Sequence, residues 1–281
     1  MTDRLRILHL SDTHLYGDGR LQYGLVDTLA ALDRVLARAG ELDAVDLVVA
    51  SGDLSDDGSA ASYRLLRDRL EPWAAERGAV VAYAMGNHDL AEGFEEVLGA
   101  REATFGVRGF RVVTVDTTVA RAGYGLIGEA RLERLREALA EPSADGTVVV
   151  LHHPPVPPTT GLFETLRLVD PGPLLDLCAA GDVRLILAGH YHHALVTEAG
   201  AGGIPVVVAP AVANTTDVLQ PPPHQRAERG AGFALIELPA DGPPRTHVVR
   251  APDARDGETV YDLDADAVAR IAAGAGWTGA S

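Results

Sequence analysis

Short apolar, β-branched runs alternate with longer segments of helical period along most of this chain, and that alternation points to an α/β fold. The spacing predicts strands at 6–10, 46–50 and 79–84, separated by helices at 25–39 and 59–77. A strand-rich stretch follows at 111–117, then a helix at 129–140. The pattern restarts with strand 147–151, helix 173–180 and strand 184–187, and ends in strands at 204–208, 233–237 and 246–249 with no helix between them. Late strands of that kind are expected to form a second sheet with antiparallel character, giving two packed sheets covered by helices. Residues 154–168, opening with PPVPP, and 212–230, holding PPPHQRAERG, read as irregular loops suited to selecting what a site admits. Residues 262–273 read as an amphipathic helix.

Charge narrows the function classes. The formal net charge is −16, and all 24 basic residues are arginines scattered along the chain, so no basic stripe exists to grip a long nucleic acid. A small anionic substrate would need a locally positive site to overcome the field of the whole molecule. The single cysteine, Cys178, lies in an apolar helical stretch and has no disulfide partner, which reads as a buried thiol in a reducing compartment. The apolar run at 7–10 is too short for the core of a signal peptide, and no window reaches the roughly 18 to 20 apolar residues of a membrane helix. A soluble, cytoplasmic protein without membrane partners is the expectation.

Five polar clusters follow five of the predicted strands: Asp12-Thr13-His14, Gly52-Asp53, Gly86-Asn87-His88-Asp89, His152-His153 and Gly189-His190-Tyr191-His192. Open α/β sheets gather their ligand sites where strands run out into loops, so the five have reason to converge. Asp, Asn and His offer oxygen and imidazole nitrogen, a donor set suited to iron, manganese or zinc, whereas a structural zinc site is usually closed by cysteines. Two metals roughly 3.5 to 4 Å apart need a shared carboxylate, and Asp53 is available to bridge them. The glycines beside these residues permit sharp turns and close approach.

The set D-x-H, G-D, G-N-H-D, H-H-P-P and G-H-x-H, in this order from Asp12 to His192, resembles the calcineurin-like metallophosphoesterase superfamily. LHLSDTHL, SGDLSDDG, MGNHD, LHHPPVP and LAGHYHH look more specifically like the bacterial, mycobacterial-type class III cyclic nucleotide phosphodiesterases. The resemblance implies a four-layer α/β/β/α sandwich with two mixed β-sheets, a catalytic domain over 1–250 and a C-terminal extension over 251–281. It implies one metal held by Asp12, His14, Asp53 and His192 and a second held by Asp53, Asn87, His152 and His190. His152 is preferred to His153 because the family places its ligand first in that pair. The ions implied are divalent or mixed-valence iron and manganese, with zinc as a third candidate. His88 is placed to meet the phosphoryl oxygen or protonate the leaving alkoxide, with Asp89 orienting it.

The implied activity is hydrolysis of small phosphodiesters, 3′,5′- or 2′,3′-cyclic nucleotides first, by in-line attack of a metal-bridging hydroxide. Another small phosphodiester or a nucleotide pyrophosphate is the alternative substrate, and a metal-free scaffold of the same fold the alternative class. A homodimer is expected from the resemblance alone. Asp56-Asp57 departs from the Asp-Arg-Gly ending of protein Ser/Thr phosphatases, leaving less to clamp a monoester dianion. Asp56 itself reads equally as a partner of site histidines or as a helix cap. His9 reads as a packed strand residue, His193 as a neighbour of the site, and Tyr16, Tyr23 and Tyr191 as scaffold or as contacts for a nucleobase.

Overall fold

The computed structural model describes residues 4–277. Along the chain run β1 (Arg4–Leu10), α1 (Thr28–Ala39), β2 (Leu47–Ser51), α2 (Ala60–Ala75), β3 (Val80–Ala84), α3 (Ala91–Leu98), β4 (Thr104–Val107), β5 (Phe110–Thr114), β6 (Gly125–Leu126) and α4 (Glu129–Ala138). There follow β7 (Thr147–Val150), α5 (Gly161–Leu166), β8 (Leu168–Val169), α6 (Gly172–Ala180), β9 (Val183–Ala188), β10 (Leu195–Ala199) and β11 (Ile204–Val208). The chain continues through β12 (Thr215–Thr216), β13 (Gln225–Glu228), β14 (Gly232–Pro239), β15 (Arg245–Arg250), β16 (Thr259–Leu263) and α7 (Ala265–Ala275). Helices α1, α2 and α7 begin at Asp27, Ser59 and Asp264, each accepting a backbone N–H three residues on with its side-chain oxygen.

The first sheet has the order β15-β14-β1-β2-β3, the second β10-β11-β9-β7-β5-β4. In the first, β1, β2 and β3 are parallel while β14 and β15 are antiparallel. In the second, β5, β7, β9 and β11 are parallel, with antiparallel β4 and β10 at the edges. Both sheets are therefore mixed. The late strands do not all build the second sheet as expected: β14 and β15 return to the first, where β14 covers the open edge of β1 from Arg4↔Pro239 to His9↔Ala234. Alternation explains the choice, because Ala234, Ile236 and Leu238 then face the same interior as Leu5 and Ile7.

Between the sheets, Ile7, Leu47, Val49 and Ile236 meet Val112, Val148, Leu185 and Leu187. Their sequence neighbours point the other way. Leu8, Leu10, Val48 and Ala50 pack beneath Leu32 and Val35 of α1, Leu66 and Leu70 of α2 and Phe94 of α3. Val149, Ile186 and Val206 pack beneath Leu132 and Leu135 of α4, Leu174 and Cys178 of α6 and Val268 of α7. Strands covered on both faces read as unbroken apolar runs, and the result is four layers.

Residues 251–277 do not stand apart. Strand β16 pairs with β13, and α7 lies against α5. Residues 278–281 of the expected extension lie outside the described region. Among the described residues no helix is long and apolar enough to cross a membrane.

Candidate metal centre

Because β1, β2 and β3 are parallel, their exits lie along one edge of the first sheet; β7 and β9 deliver theirs from the second. The five loops meet there in a strained backbone. Asp12, His14, Asp53, His190 and His192 all adopt positive φ, at 53°, 44°, 49°, 72° and 54°. Each such non-glycine residue costs about 1 kcal/mol or more and persists only where its surroundings over-determine it. Here the chain is pinned by Asp12 N–H to Gly52 O at 3.0 Å, His14 N–H to Asp53 O at 2.9 Å and Ala213 N–H to Asp12 O at 3.1 Å. A Cβ at Gly52 would lie 2.4 Å from His152 Nδ1, and one at Gly86 would lie 2.2 Å from Asp53 N, so only glycine lets these loops approach.

Two sets of donor atoms lie deep in the site. One comprises Asp12, His14, Asp53 and His192, with atoms within 4.8 Å of one another; the second brings His152, His153 and His190 within the same distance. Asp53 belongs to both neighbourhoods, since its Oδ2 is 3.8 Å from His14 Nε2 and 3.3 Å from His152 Nε2. Its Oδ1 is fixed by the His88 N–H at 2.8 Å. Four histidines each bond one ring nitrogen outward, His14 Nδ1 to Asp56, His152 Nδ1 to Ser51 O, His190 Nε2 to Leu166 O and His192 Nδ1 to Asn214. That leaves the other nitrogen aimed inward, the way metal-binding imidazoles are oriented. Asn87 Oδ1 is buried without any hydrogen-bond partner, and His152 Nε2 faces only Asp53 Oδ2 at 3.3 Å. An orphaned acceptor such as Asn87 Oδ1 is costly unless a cation completes it, and with the inward-facing imidazoles it makes the residues present fit a metal centre.

Electrostatics agrees. Burial disfavours charge on Asp12, yet His192 outweighs it and holds the carboxyl at about 2. Asp53 is held well below the usual carboxylate range by His152, His88 and His14, again against burial. Burial and the neighbouring His152 push His190 down to about 3, leaving it neutral. Burial also works against protonated His152, but Asp53 outweighs it and raises the ring to about 9. Asp12 and Asp53 thus stay ionised and His190 neutral, the forms in which these groups bind cations.

His88 is the one residue of the predicted site that opens to solvent, its side chain 45% exposed. Its orienting carboxylate is Asp56, whose Oδ1 lies 3.0 Å from His88 Nδ1 and 2.7 Å from His14 Nδ1. Tyr16 donates its hydroxyl to the same carboxylate. Asp89, expected in that role, faces away: it accepts the N–H groups of Leu54, Ser55 and Gly86 and the Tyr63 hydroxyl. It clamps the loop that carries Asp53. Ser59, not Asp56, caps α2.

His153 is fully buried with both ring nitrogens engaged, by Thr117 Oγ1 at 2.7 Å and Gly123 O at 3.1 Å. His9 is likewise buried, its Nε2 2.8 Å from Ser51 Oγ. Tyr191 is buried and donates to Val156 O, which makes it scaffold; Tyr23 is 59% exposed and stacks edge-on against Tyr261. Asn214, which orients His192 and donates to Gln22 Oε1 at 3.0 Å, carries no signal in the sequence.

Residues 5–194 match the model of the calcineurin-like phosphoesterase family. A probable cyclic nucleotide phosphodiesterase of Rhodococcus erythropolis is 40% identical over 241 residues, 83% of this chain and 79% of that one. A cAMP/cGMP dual specificity phosphodiesterase of Mycobacterium tuberculosis is 38% identical over 244 residues, 84% of this chain and 76% of that one. In fold alone, at 14% identity, the chain is similar to purple acid phosphatase from yellow lupin seeds, with a TM-score of 0.63 over 100% of this chain and 57% of that one. The chain belongs to the calcineurin-like phosphoesterase family, and that membership together with the buried histidine and aspartate clusters implies a centre for two metal ions.

Proposed function

We propose that this protein is a dinuclear-metal phosphodiesterase acting on small phosphodiesters, 3′,5′-cyclic nucleotides first among them. The observation that carries the reading is Asp53, whose Oδ1 is anchored and whose Oδ2 faces a histidine of each donor set. Asp12, His14, Asp53 and His192 would hold one ion, and Asp53, Asn87, His152 and His190 the other. A donor set of oxygen and imidazole without cysteine favours iron or manganese and accommodates zinc. When bound, two such ions supply a water nucleophile at neutral pH and neutralise charge developing on the phosphoryl oxygens.

The chain's own residues do the rest. Two carboxylates against two divalent ions leave an excess of about +2, which suits a hydroxide and a diester monoanion, so an acidic protein can hold an anion here. His88, exposed toward the open side and tied through Nδ1 to Asp56, presents Nε2 to the phosphoryl oxygen or to the leaving alkoxide. The Asp56-Asp57 segment lacks the arginine of the Asp-Arg-Gly ending in protein Ser/Thr phosphatases, and Asp57 instead accepts the Gly17 N–H at 2.8 Å, which favours diesters over monoester dianions. The names of the Rhodococcus and Mycobacterium relatives support cyclic nucleotides as the substrate class.

The test is hydrolysis by manganese-reconstituted protein of 3′,5′-cAMP, 2′,3′-cAMP, bis(p-nitrophenyl) phosphate and p-nitrophenyl phosphate. Turnover of a cyclic nucleotide and of the model diester, well above the monoester, is expected. Diester turnover without cyclic nucleotide cleavage would move the substrate elsewhere among phosphodiesters. Absence of any metal-dependent turnover would overturn the enzyme reading.

A further inference from the structure

The last helix and the residue two beyond it reach the metal centre by two routes. Both end on one histidine. On the first, Trp277 N–H donates to Thr165 O at 2.6 Å, next to Leu166, whose carbonyl receives His190 Nε2 at 2.9 Å. On the second, Ala275 O receives the Gly123 N–H at 2.8 Å, and Gly123 O faces His153 Nε2 at 3.1 Å. The His153 ring lies against His190, centroids 4.4 Å apart. The indole of Trp277 packs edge-on against Tyr124, 5.3 Å between centroids, holding the two routes together. Buried Val268 anchors α7 in the helix-covered core.

We infer that residues 265–277 form a strap that positions His190 and thereby sets the affinity of one of the two metal ions. The inference rests on the assignment of His190 as a ligand. It concerns a segment outside the residues, 5–194, that match the family model. Both routes enter through the His190 ring, and the link onward to the other ligand set is the His190 backbone N–H, which donates to Asp12 Oδ1 and Oδ2 at 3.2 and 3.1 Å, so the ion bound by His190 is the one expected to respond most. Trp277 and Val268 are positioning residues that act through α5 and the loop around Gly123.

The experiment compares full-length protein, Val268→Ala/Trp277→Ala and His190→Ala by manganese titration calorimetry and by metal content after dialysis against a weak chelator. Arg184→Ala, which loosens the fold far from the centre, serves as the stability control. The strap variant is expected to bind one ion 10- to 100-fold more weakly, the range seen when partners of metal ligands are removed, and to retain the other. It should lose the same ion that His190→Ala loses. Two ions held as tightly as in the unaltered protein would overturn the strap, as would equal weakening of both ions. Undiminished binding in His190→Ala would overturn the ligand assignment instead, a result the strap variant does not enter.

Discussion

At the scale of single residues, the proposed assignments separate side chains that would hold ions from side chains that would act on the substrate. Asn87→Ala removes a buried, otherwise unpartnered acceptor; it is expected to lose bound metal together with activity, read by metal analysis of the purified variant. His88→Ala should keep both ions and lower kcat by roughly 100- to 10,000-fold, the usual contribution of a positioned proton donor. Metal loss in the second variant would reverse the two assignments. Asp89→Asn leaves a buried ring of donors short of acceptors and is expected to destabilise the fold by about 2 to 4 kcal/mol in a denaturant melt. Protons and cations compete at His152: because Asp53 raises its ring to about 9, binding an ion below that pH must expel a proton. Metal affinity should therefore climb as pH rises toward 9 and level off above it, with proton release visible in calorimetry across buffers of different ionisation heat. The ligand types were legible from sequence because Asp, Asn and His beside glycine at a strand end carry their chemistry in their names. Which carboxylate meets His88 was not: adjacency in sequence points to Asp89, whereas the turn of each loop aims Asp56 at the ring and Asp89 at Leu54 and Ser55.

At the scale of elements, glycines decide how closely loops approach. Gly52→Ala would drive a methyl group into the His152 ring at a position with φ of 101°, and we expect metal binding to fail while the circular dichroism of the fold persists. Retained stoichiometric metal would contradict that. The buried strands β2, β7, β9 and β11, and most of β1, were readable as apolar runs, since both faces of each are covered. Several elements at edges and lids were not, β4 and β10 among them. Helix α5 is a six-residue turn in a stretch that begins with prolines, and β13, QRAE, is a polar strand paired on the margin with β16. Both fall inside stretches that composition marks as irregular. The return of β14 to β1 was hidden for a different reason: strand pairing across more than two hundred residues leaves no local trace.

At the scale of the whole molecule, the two sheets are joined by their shared core and, at the end remote from the metals, by Arg184. From β9 its guanidinium donates to the carbonyls of Pro239, Ala240 and Gly242 in the β14–β15 hairpin and to Asp145 O. Arg184→Ala should cost about 1 to 3 kcal/mol in thermal stability while leaving metal content unchanged; a change in metal content would show that the sheets communicate end to end. At the opposite end the proposed ligands divide between the layers. Asp12, His14, Asp53 and Asn87 come from the first sheet, and His152, His190 and His192 from the second. Ions seated across that seam would rivet one half of the chain to the other, adding to folding free energy in proportion to the logarithm of their free concentration. A cell short of transition metal would then clear the protein faster as well as slow its chemistry, and its abundance would become a record of metal supply.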